Sequence, residues 1–257
     1  MTVPRPVASP NTSLSARPRD GASVLWDTVF ASLCVLATIA VGCTVYVVFH
    51  RAPVEASMGI VQKIFYFHVP SAYAMYLGAI ACFVGSTAYL AAPGERADAL
   101  ARAGAEVAVA FGVVVLTTGP LWASKAWGHY WTWEPRLTTS LLSVLVYAAY
   151  LVFRSFGGGG EGVRRFAAAL GFLGALNLPI IHVSVRKWSG QHPEVITGQG
   201  GGLGHPDMKL AFAMAMASFT LLAVLLLWSR LRLWAAQARL ESLEHAAIKA
   251  GIEDIAP

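Results

Sequence analysis

The chain has 257 residues, of which 56% are hydrophobic and only 13% are charged. A soluble globular domain has about 25% charged residues, so this composition excludes a soluble globular enzyme, and the apolar content also excludes a disordered chain. The formal net charge of +5 does not indicate binding of nucleic acid, because no folded basic surface is expected from Lys and Arg that are spread over many loops.

Six uncharged runs along the chain are each about long enough to cross a lipid bilayer as a helix, which needs roughly 20 apolar residues. The six runs are residues 28–49, 64–94, 107–124, 137–153, 166–185 and 210–229. What remains is too short for a second domain with its own core. The sequence therefore predicts an all-α, polytopic membrane protein, built as a bundle of six transmembrane helices.

The predicted membrane domain spans residues 24–230 and has a short segment on either side. Residues 1–23 are rich in Pro, Arg, Ser and Thr and predict a flexible cytoplasmic tail. The first run is too long to be the apolar part of a signal peptide, so we expect a retained helix. Residues 231–257 predict an amphipathic cytoplasmic tail, as an interfacial or solvated helix rather than one that docks a partner. Its apolar positions at helical spacing are Leu240, Leu243, Ala247 and Ile248.

The distribution of Lys and Arg between the loops predicts the orientation of the bundle. If the N-terminus is cytoplasmic, twelve of these cations lie in inside segments and seven in outside segments. Cytoplasmic loops of membrane proteins are enriched in Lys and Arg. We therefore expect both termini inside and three outer connections, near residues 50–63, 125–136 and 186–207.

The connection between the third and fourth spans contains four of the eight tryptophans within twelve residues: Trp122, Trp127, Trp131 and Trp133. One interpretation is an interfacial aromatic belt, in which Trp and Tyr lie at the level of the lipid headgroups. Belt residues are usually scattered over all helix ends, however, whereas here half of the tryptophans of the chain lie in one connection. Gly128 also allows a tight turn between the rings. The segment therefore favours a platform at the outer face for a large, flat, apolar ligand.

Two histidines inside predicted spans lie close to the same outer surface. They are His68, in Phe65-Tyr66-Phe67-His68, and His182, in Pro179-Ile180-Ile181-His182. A single histidine in a span is more often a hydrogen-bonding residue between helices, but two at matching depth beside an aromatic platform favour a functional pair. Neutral imidazole is a good iron ligand, and haem is the planar, hydrophobic macrocycle that contains iron.

Two further features of the sequence bear on how haem would be held. The cations expected near the outer surface, where they are able to pair with propionates, are Lys63, Lys125, Arg136 and Arg186. The sequence contains no Cys-x-x-Cys-His motif, so the chain itself does not carry covalently attached c-type haem.

The segment Trp127-Gly128-x-x-Trp131-x-Trp133-Glu134-x-Arg136-Leu137-Thr138 is similar to the tryptophan-rich "WWD" signature of membrane proteins that handle haem. Together with Phe67-His68-Val69-Pro70 and Pro179-Ile180-Ile181-His182, it resembles the CcmC family, haem exporter protein C of cytochrome c maturation, over about residues 24–230. The resemblance implies that haem b is bound non-covalently at the outer face, with His68 and His182 as axial ligands.

The same resemblance implies partners, a location and roles for the motif. The partners are the haem chaperone CcmE, the ABC-transporter subunits CcmAB and the small protein CcmD, and the location is a bacterial inner membrane. Glu134 stands where the family motif has Asp, which keeps the charge and lengthens the side chain by one methylene. We expect Glu134 and Arg136 to hold the loop or to meet the propionates and the chaperone. We expect Trp127, Trp131 and Trp133 to face the histidines, and Trp122 to anchor the third helix at the interface.

These observations favour a haem-delivery protein that is not an enzyme. The nearest alternative is a cytochrome c haem lyase or synthase of the CcmF or CcsA type, which uses the same motif with a further histidine pair. The other outer histidines are His50, His129, His192 and His205, and none has an evident partner. A b-type redox cytochrome would need ligand pairs at two depths, and a transport channel would need a polar or charged stripe along a span.

Overall fold

The structure of the chain, a computed structural model, describes residues 21–158, 160–188 and 203–249, with the side chains at 22, 23, 185 and 186 left out. Its long helices are α1 (Gly21–Tyr46), α2 (Phe65–Ala91), α3 (Glu95–Trp127), α4 (Pro135–Phe156), α5 (Glu161–Trp188) and α6 (Pro206–Lys249). All six are long and apolar enough to cross a membrane, and the described ranges contain no β-strand. This confirms the predicted all-α, six-helix polytopic bundle.

The last helix is longer than the sixth uncharged run. Helix α6 continues without a break to Lys249, about five turns beyond the sixth uncharged run, so the segment predicted as a separate tail prolongs the last helix. In this prolongation, Leu240 and Leu243 are exposed. The flexible tail predicted for residues 1–23 falls almost wholly outside the described residues, as do His192 and most of the third outer connection.

Neighbouring helices are antiparallel, so that the three connections predicted to be outer share one end of the bundle. At that end Arg51, after α1, forms a salt bridge of 3.1 Å with Asp207 at the start of α6. At the opposite end Arg232 of α6 pairs with Asp27 of α1. These two pairs show that α1 and α6 run antiparallel. The segment 128–134, here called the tryptophan loop, lies between α3 and α4.

Helices α2 and α3 pack with their backbones in contact, because small residues line their interface. A Cβ atom added at Gly104 would lie 2.3 Å from the backbone nitrogen of Cys82, and one added at Gly85 would lie 2.3 Å from that of Ala101. Small residues allow such close approach between membrane helices, where packing rather than water exclusion drives association. This contact determines how α2, which contains His68, is rotated against α3.

We expect Gly104→Val to destabilise the bundle, because the valine Cβ would overlap the backbone of Cys82 in α2. Overpacking of this kind costs about 1–3 kcal/mol or more. The matched control is Gly42→Val in α1, where an added Cβ meets nothing within 4 Å. The measurement is the thermal unfolding midpoint of each purified protein in detergent. Equal midpoints for the two variants would contradict the close α2–α3 contact.

Candidate functional site

A pocket opens at the end of the bundle that bears the tryptophan loop, and we call it the tryptophan pocket. Helices α2, α3, α4 and α5 and the loop all contribute to its wall. Its principal lining residues are His68, Trp122, Trp127, Trp131, Arg136 and Ile181. The volume is about 60 Å³, well below the range of roughly 300–1,000 Å³ typical of ligand pockets. A large flat ligand therefore fits only across the mouth, or after the loop side chains move apart.

The short tryptophan loop holds its rings over this pocket through two backbone features. Gly128 ends α3 with a φ of 79°, a left-handed conformation that residues with a Cβ rarely adopt. Pro135 begins α4, and proline suits the first helical position because its missing N–H has no helical partner there. Seven residues thus turn the chain back on itself, with Trp127 before the turn and Trp131 within it.

Three of the four clustered tryptophans form the wall of the pocket, and the fourth points away from it. Trp122 is buried, and its ring centroid lies 5.5 Å from that of Trp127. Trp131 lines the pocket beside them, whereas Trp133 is 76% exposed and packs edge-to-face with Trp131, with ring centroids 5.7 Å apart. Trp133 is thus not part of the pocket wall, which differs from the expectation that it faces the histidines, whereas Trp122 is a buried wall residue and its anchoring of α3 at the interface stays a prediction.

Two buried polar nitrogens near the rings lack a hydrogen-bond partner among the described residues. The indole Nε1 of Trp131 and the Nδ1 of His129 are buried without a hydrogen-bond partner in the described part of the chain. Leaving a buried donor unsatisfied costs about 1–3 kcal/mol. Trp131 lines the pocket, so this unsatisfied indole donor belongs to a residue of the pocket wall.

The contacts of His68 determine which of its nitrogens carries the proton. His68 Nδ1 lies 2.8 Å from the hydroxyl oxygen of Thr118, and that hydroxyl donates its hydrogen to the carbonyl of Val114 at 2.7 Å. Because the hydroxyl has one hydrogen, it accepts from His68. Nδ1 therefore carries the proton and the lone pair is on Nε2, which is the arrangement that metal-binding histidines usually have.

A glycine beside this hydrogen bond lets the imidazole ring approach α3 closely. A Cβ added at Gly119 would lie 3.1 Å from the Cε1 of His68, which is tighter than ordinary packing. Thr118 and Gly119 together hold the ring against α3 with Nε2 as its basic nitrogen. The site thus brings the imidazole of His68, three aromatic walls and the guanidinium of Arg136 to one pocket.

A family model described as haem exporter protein C, CcmC, matches residues 15–246. The chain belongs to the CcmC family. Haem exporter protein C of Bradyrhizobium diazoefficiens is 32% identical over 195 residues, which cover 75% of this chain and 74% of that protein. The protein of the same name from Escherichia coli K12 is 30% identical over 188 residues, 72% of this chain and 74% of its own length. That of Paracoccus denitrificans is 26% identical over 231 residues, 87% and 90% of the two chains.

The second histidine singled out in this CcmC-family chain, His182, lies on a different opening. It is exposed on α5 and lines a shallow groove with Leu178 and Pro179, outside the tryptophan pocket. Its neighbour Ile181 is buried and lines the pocket instead, since successive helical residues point about 100° apart. Tyr76 borders both openings. The structure therefore places the two histidines at two different openings, and their pairing on iron stays a prediction.

The cations near the tryptophan loop divide into one at the pocket and others elsewhere. Arg136, in the first turn of α4, lines the pocket. Lys63 is buried and donates to the carbonyl of Phe49 at 3.2 Å, and Lys125 is exposed in the last turn of α3. The Arg186 side chain lies outside the described set. Of these cations, Arg136 is therefore the one with a described side chain in the pocket wall, and Glu134 is half-buried just ahead of it at the start of α4.

The remaining histidines at this end have separate environments. His50 stacks on Tyr46 with ring centroids 4.9 Å apart, and the Nδ1 of His205 accepts from the backbone N–H of Asp207 at 3.1 Å. Among the residues that the structure describes, no group of three or more His, Cys, Asp or Glu side chains is placed to hold a metal ion. The described part of the chain thus offers single imidazoles rather than a metal centre made by the protein alone.

Sequence reasoning missed three residues of this site: Thr118 and Gly119, which hold the His68 ring, and Tyr76, which borders both openings. Thr118 and Gly119 precede Trp122 by one turn in α3, and Tyr76 lies two turns after His68 in α2. A polar residue and a glycine ahead of an aromatic cluster are a weak signal by themselves. Their contact with His68 becomes evident only from the packing of α2 against α3.

Proposed function

We propose that the protein binds haem b non-covalently at the outer face of the membrane and delivers it for cytochrome c maturation. Membership of the CcmC family and likeness to proteins named haem exporter protein C support a role in haem delivery. The observation that carries the proposal is the imidazole of His68, oriented by Thr118 at a pocket with tryptophan walls. Haem here is cargo, so the site must release it as well as bind it.

Each group of the site has one task in this proposal. His68 Nε2 supplies the lone pair for iron, the rings of Trp127 and Trp131 bury the macrocycle, and the Arg136 guanidinium meets a propionate. His182 is the proposed second axial ligand. Its support is its position on α5 next to the pocket-lining Ile181. Because the pocket is narrow, most of the macrocycle would remain at its mouth, where a chaperone is able to collect it.

The proposal extends to the partners CcmE, CcmAB and CcmD and to a bacterial inner membrane with both termini cytoplasmic. The exposed rings of Tyr130 and Trp133, at 65% and 76%, are a suitable surface for the chaperone CcmE, since exposed aromatic residues are favoured in protein interfaces. The orientation is supported by the charge distribution, twelve cations inside against seven outside.

The experiment that tests the function is reconstitution of the full chain in lipid nanodiscs, followed by titration with haem b. We expect a visible spectrum of imidazole-bound haem at one haem per chain. Adding the apo form of the chaperone should then move the haem to it in solution. A chain that gives no haem spectrum, or that keeps its haem in the presence of the chaperone, would contradict the proposal.

We expect Thr118→Val to weaken haem binding, because the nearly isosteric change removes the acceptor that holds the proton on His68 Nδ1. Loss of such an outer-shell partner usually costs about 10- to 100-fold in metal affinity. The matched control is Thr117→Val, since Thr117 makes the same hydrogen bond to its own helix, at 2.8 Å to Val113, but is exposed. Haem titration in nanodiscs measures both variants, and equal affinities would show that Thr118 does not orient the ligand.

A further inference from the structure

A second cavity lies at the end of the bundle opposite the tryptophan loop, and none of its residues takes part in the proposed haem site. It is enclosed by the start of α3, the end of α4, the start of α5 and the prolongation of α6, and its volume is about 330 Å³. We call it the arginine cavity. The residues that matter to the argument are Asp98, Arg102, Arg154, Arg164 and Trp234.

Arg154 is a buried cation whose hydrogen-bonding capacity is only partly used. It is 8% exposed, and its Nη2 donates to the Oδ2 of Asp98 at 2.6 Å. Its Nε and Nη1 are buried with no acceptor in the described part of the chain. A buried guanidinium with unsatisfied N–H groups is costly, so an acceptor from outside the chain is expected at this point.

Arg102 is a second cation in the same cavity, and no carboxylate among the described residues forms a salt bridge with it. Its guanidinium lies 3.4 Å from the centre of the Trp234 ring. Three of the neighbouring carboxylates are already paired with other cations, whereas Glu241, which also lines the cavity, forms no salt bridge within the described residues. The pairs are Glu95 with Arg164 at 2.6 Å, Asp98 with Arg154 at 2.6 Å, and Glu106 with Arg230.

We propose that the arginine cavity binds a phosphate group, presented by an anionic phospholipid headgroup or as the free ion. Planar guanidinium groups match the oxygens of phosphate through paired hydrogen bonds. Basic pockets between helices at the cytoplasmic side of membrane proteins are suited to lipid headgroups, and the cavity is far larger than the roughly 30 Å³ that one water occupies. The exposed Leu233 and Leu240 of α6 provide apolar surface beside it for acyl chains.

The test uses the full chain in a neutral detergent, without haem, so that its outcome is independent of the haem proposal. Native mass spectrometry measures binding of dioctanoyl phosphatidylglycerol and of dioctanoylglycerol, which has the same acyl chains but no phosphate. The shift of the thermal unfolding midpoint with inorganic phosphate forms the other arm. The variant is Arg102→Gln, and the matched control is Arg239→Gln, which removes one charge from an exposed position of the same region outside the cavity.

We expect one molecule of phosphatidylglycerol per chain, no comparable binding of dioctanoylglycerol, and about tenfold or greater weakening in Arg102→Gln, as for loss of a hydrogen bond to a charged group. Arg239→Gln should bind like the original chain. If inorganic phosphate also stabilises the chain in an Arg102-dependent way, the ion itself suffices; if only the lipid binds, the headgroup is the source, and either result supports the site.

Three results would overturn the inference: no binding of either phosphate compound, equal binding of the two dioctanoyl lipids, or equal weakening by Arg102→Gln and Arg239→Gln. They would leave the cavity as an ion-pair network that serves only stability. Should Arg102→Gln fail to fold, Arg102→Lys is the second variant, because it keeps the positive charge but removes the planar guanidinium group that binds two oxygens at once. We then expect binding several-fold weaker than in the original chain, and unchanged affinity would equally contradict a guanidinium site.

Discussion

Replacing His68 by alanine is expected to abolish stable haem binding while the protein remains folded and inserted. The imidazole is the only group at the tryptophan pocket, among the residues that the structure describes, whose nitrogen lone pair is directed by a fixed hydrogen bond, from Nδ1 to Thr118 at 2.8 Å. Loss of a ligand should exceed the roughly 100-fold that loss of an outer-shell partner costs. The visible spectrum of reconstituted protein during haem titration is the measurement.

His50→Ala is the control for that experiment, because His50 is exposed at the same end of the bundle, stacks on Tyr46 and does not line the tryptophan pocket. A haem spectrum in His68→Ala that matches the original chain would show that iron is bound elsewhere. His182→Ala tests the second proposed ligand in the same titration. A change of spectrum there from two imidazoles to one supports the pair, and an unaltered spectrum rejects it.

Joint replacement of Trp127 and Trp131 by alanine is expected to have the second largest effect. Each ring that stacks on an aromatic plane contributes about 0.5–1.5 kcal/mol beyond the buried area, so loss of two should lower haem affinity by about one to two orders of magnitude. Both rings line the pocket, and the histidine ligand is untouched. The measurement is the haem occupancy of the purified variant after gel filtration.

Trp133→Ala is the informative comparison, since the same residue type is removed from the same loop at a position 76% exposed and outside the pocket. We expect this variant to retain haem and to transfer it to the chaperone more slowly. A larger loss of occupancy in Trp133→Ala than in the double variant would contradict the geometry. If a variant that lacks Trp127, Trp131 and Trp133 still loads the chaperone normally, the cluster is an interfacial aromatic belt.

Local pattern was sufficient to predict the membrane architecture. A segment without charges over about 20 residues must satisfy its backbone internally to lie in a bilayer, and a helix does so within the segment itself. Six such segments therefore predicted six helices, and short connections made them antiparallel. The concentration of tryptophan in one connection and the position of His68 in a span are likewise properties of the chain that no packing changes.

Only the tertiary structure decided which side chains share a pocket, because this depends on the rotation of each helix about its axis. Close contacts such as that of Gly104 with Cys82 set this rotation for α2 and α3, and they bring Thr118 to His68. A difference of one residue on α5 separates Ile181, in the pocket, from His182, outside it.

The same reason explains what the sequence by itself determined and what it did not. Composition and periodicity show whether a segment is suited to lipid or to water. They were therefore sufficient to identify the six helices, the tryptophan loop and the family motif. Contacts between residues far apart in the chain leave no such local pattern. Three features therefore arise only when the helices are packed. They are the exposure of Trp133, the hydrogen bond from His68 to Thr118, and the position of Arg102 of α3 and Arg154 of α4 in one cavity.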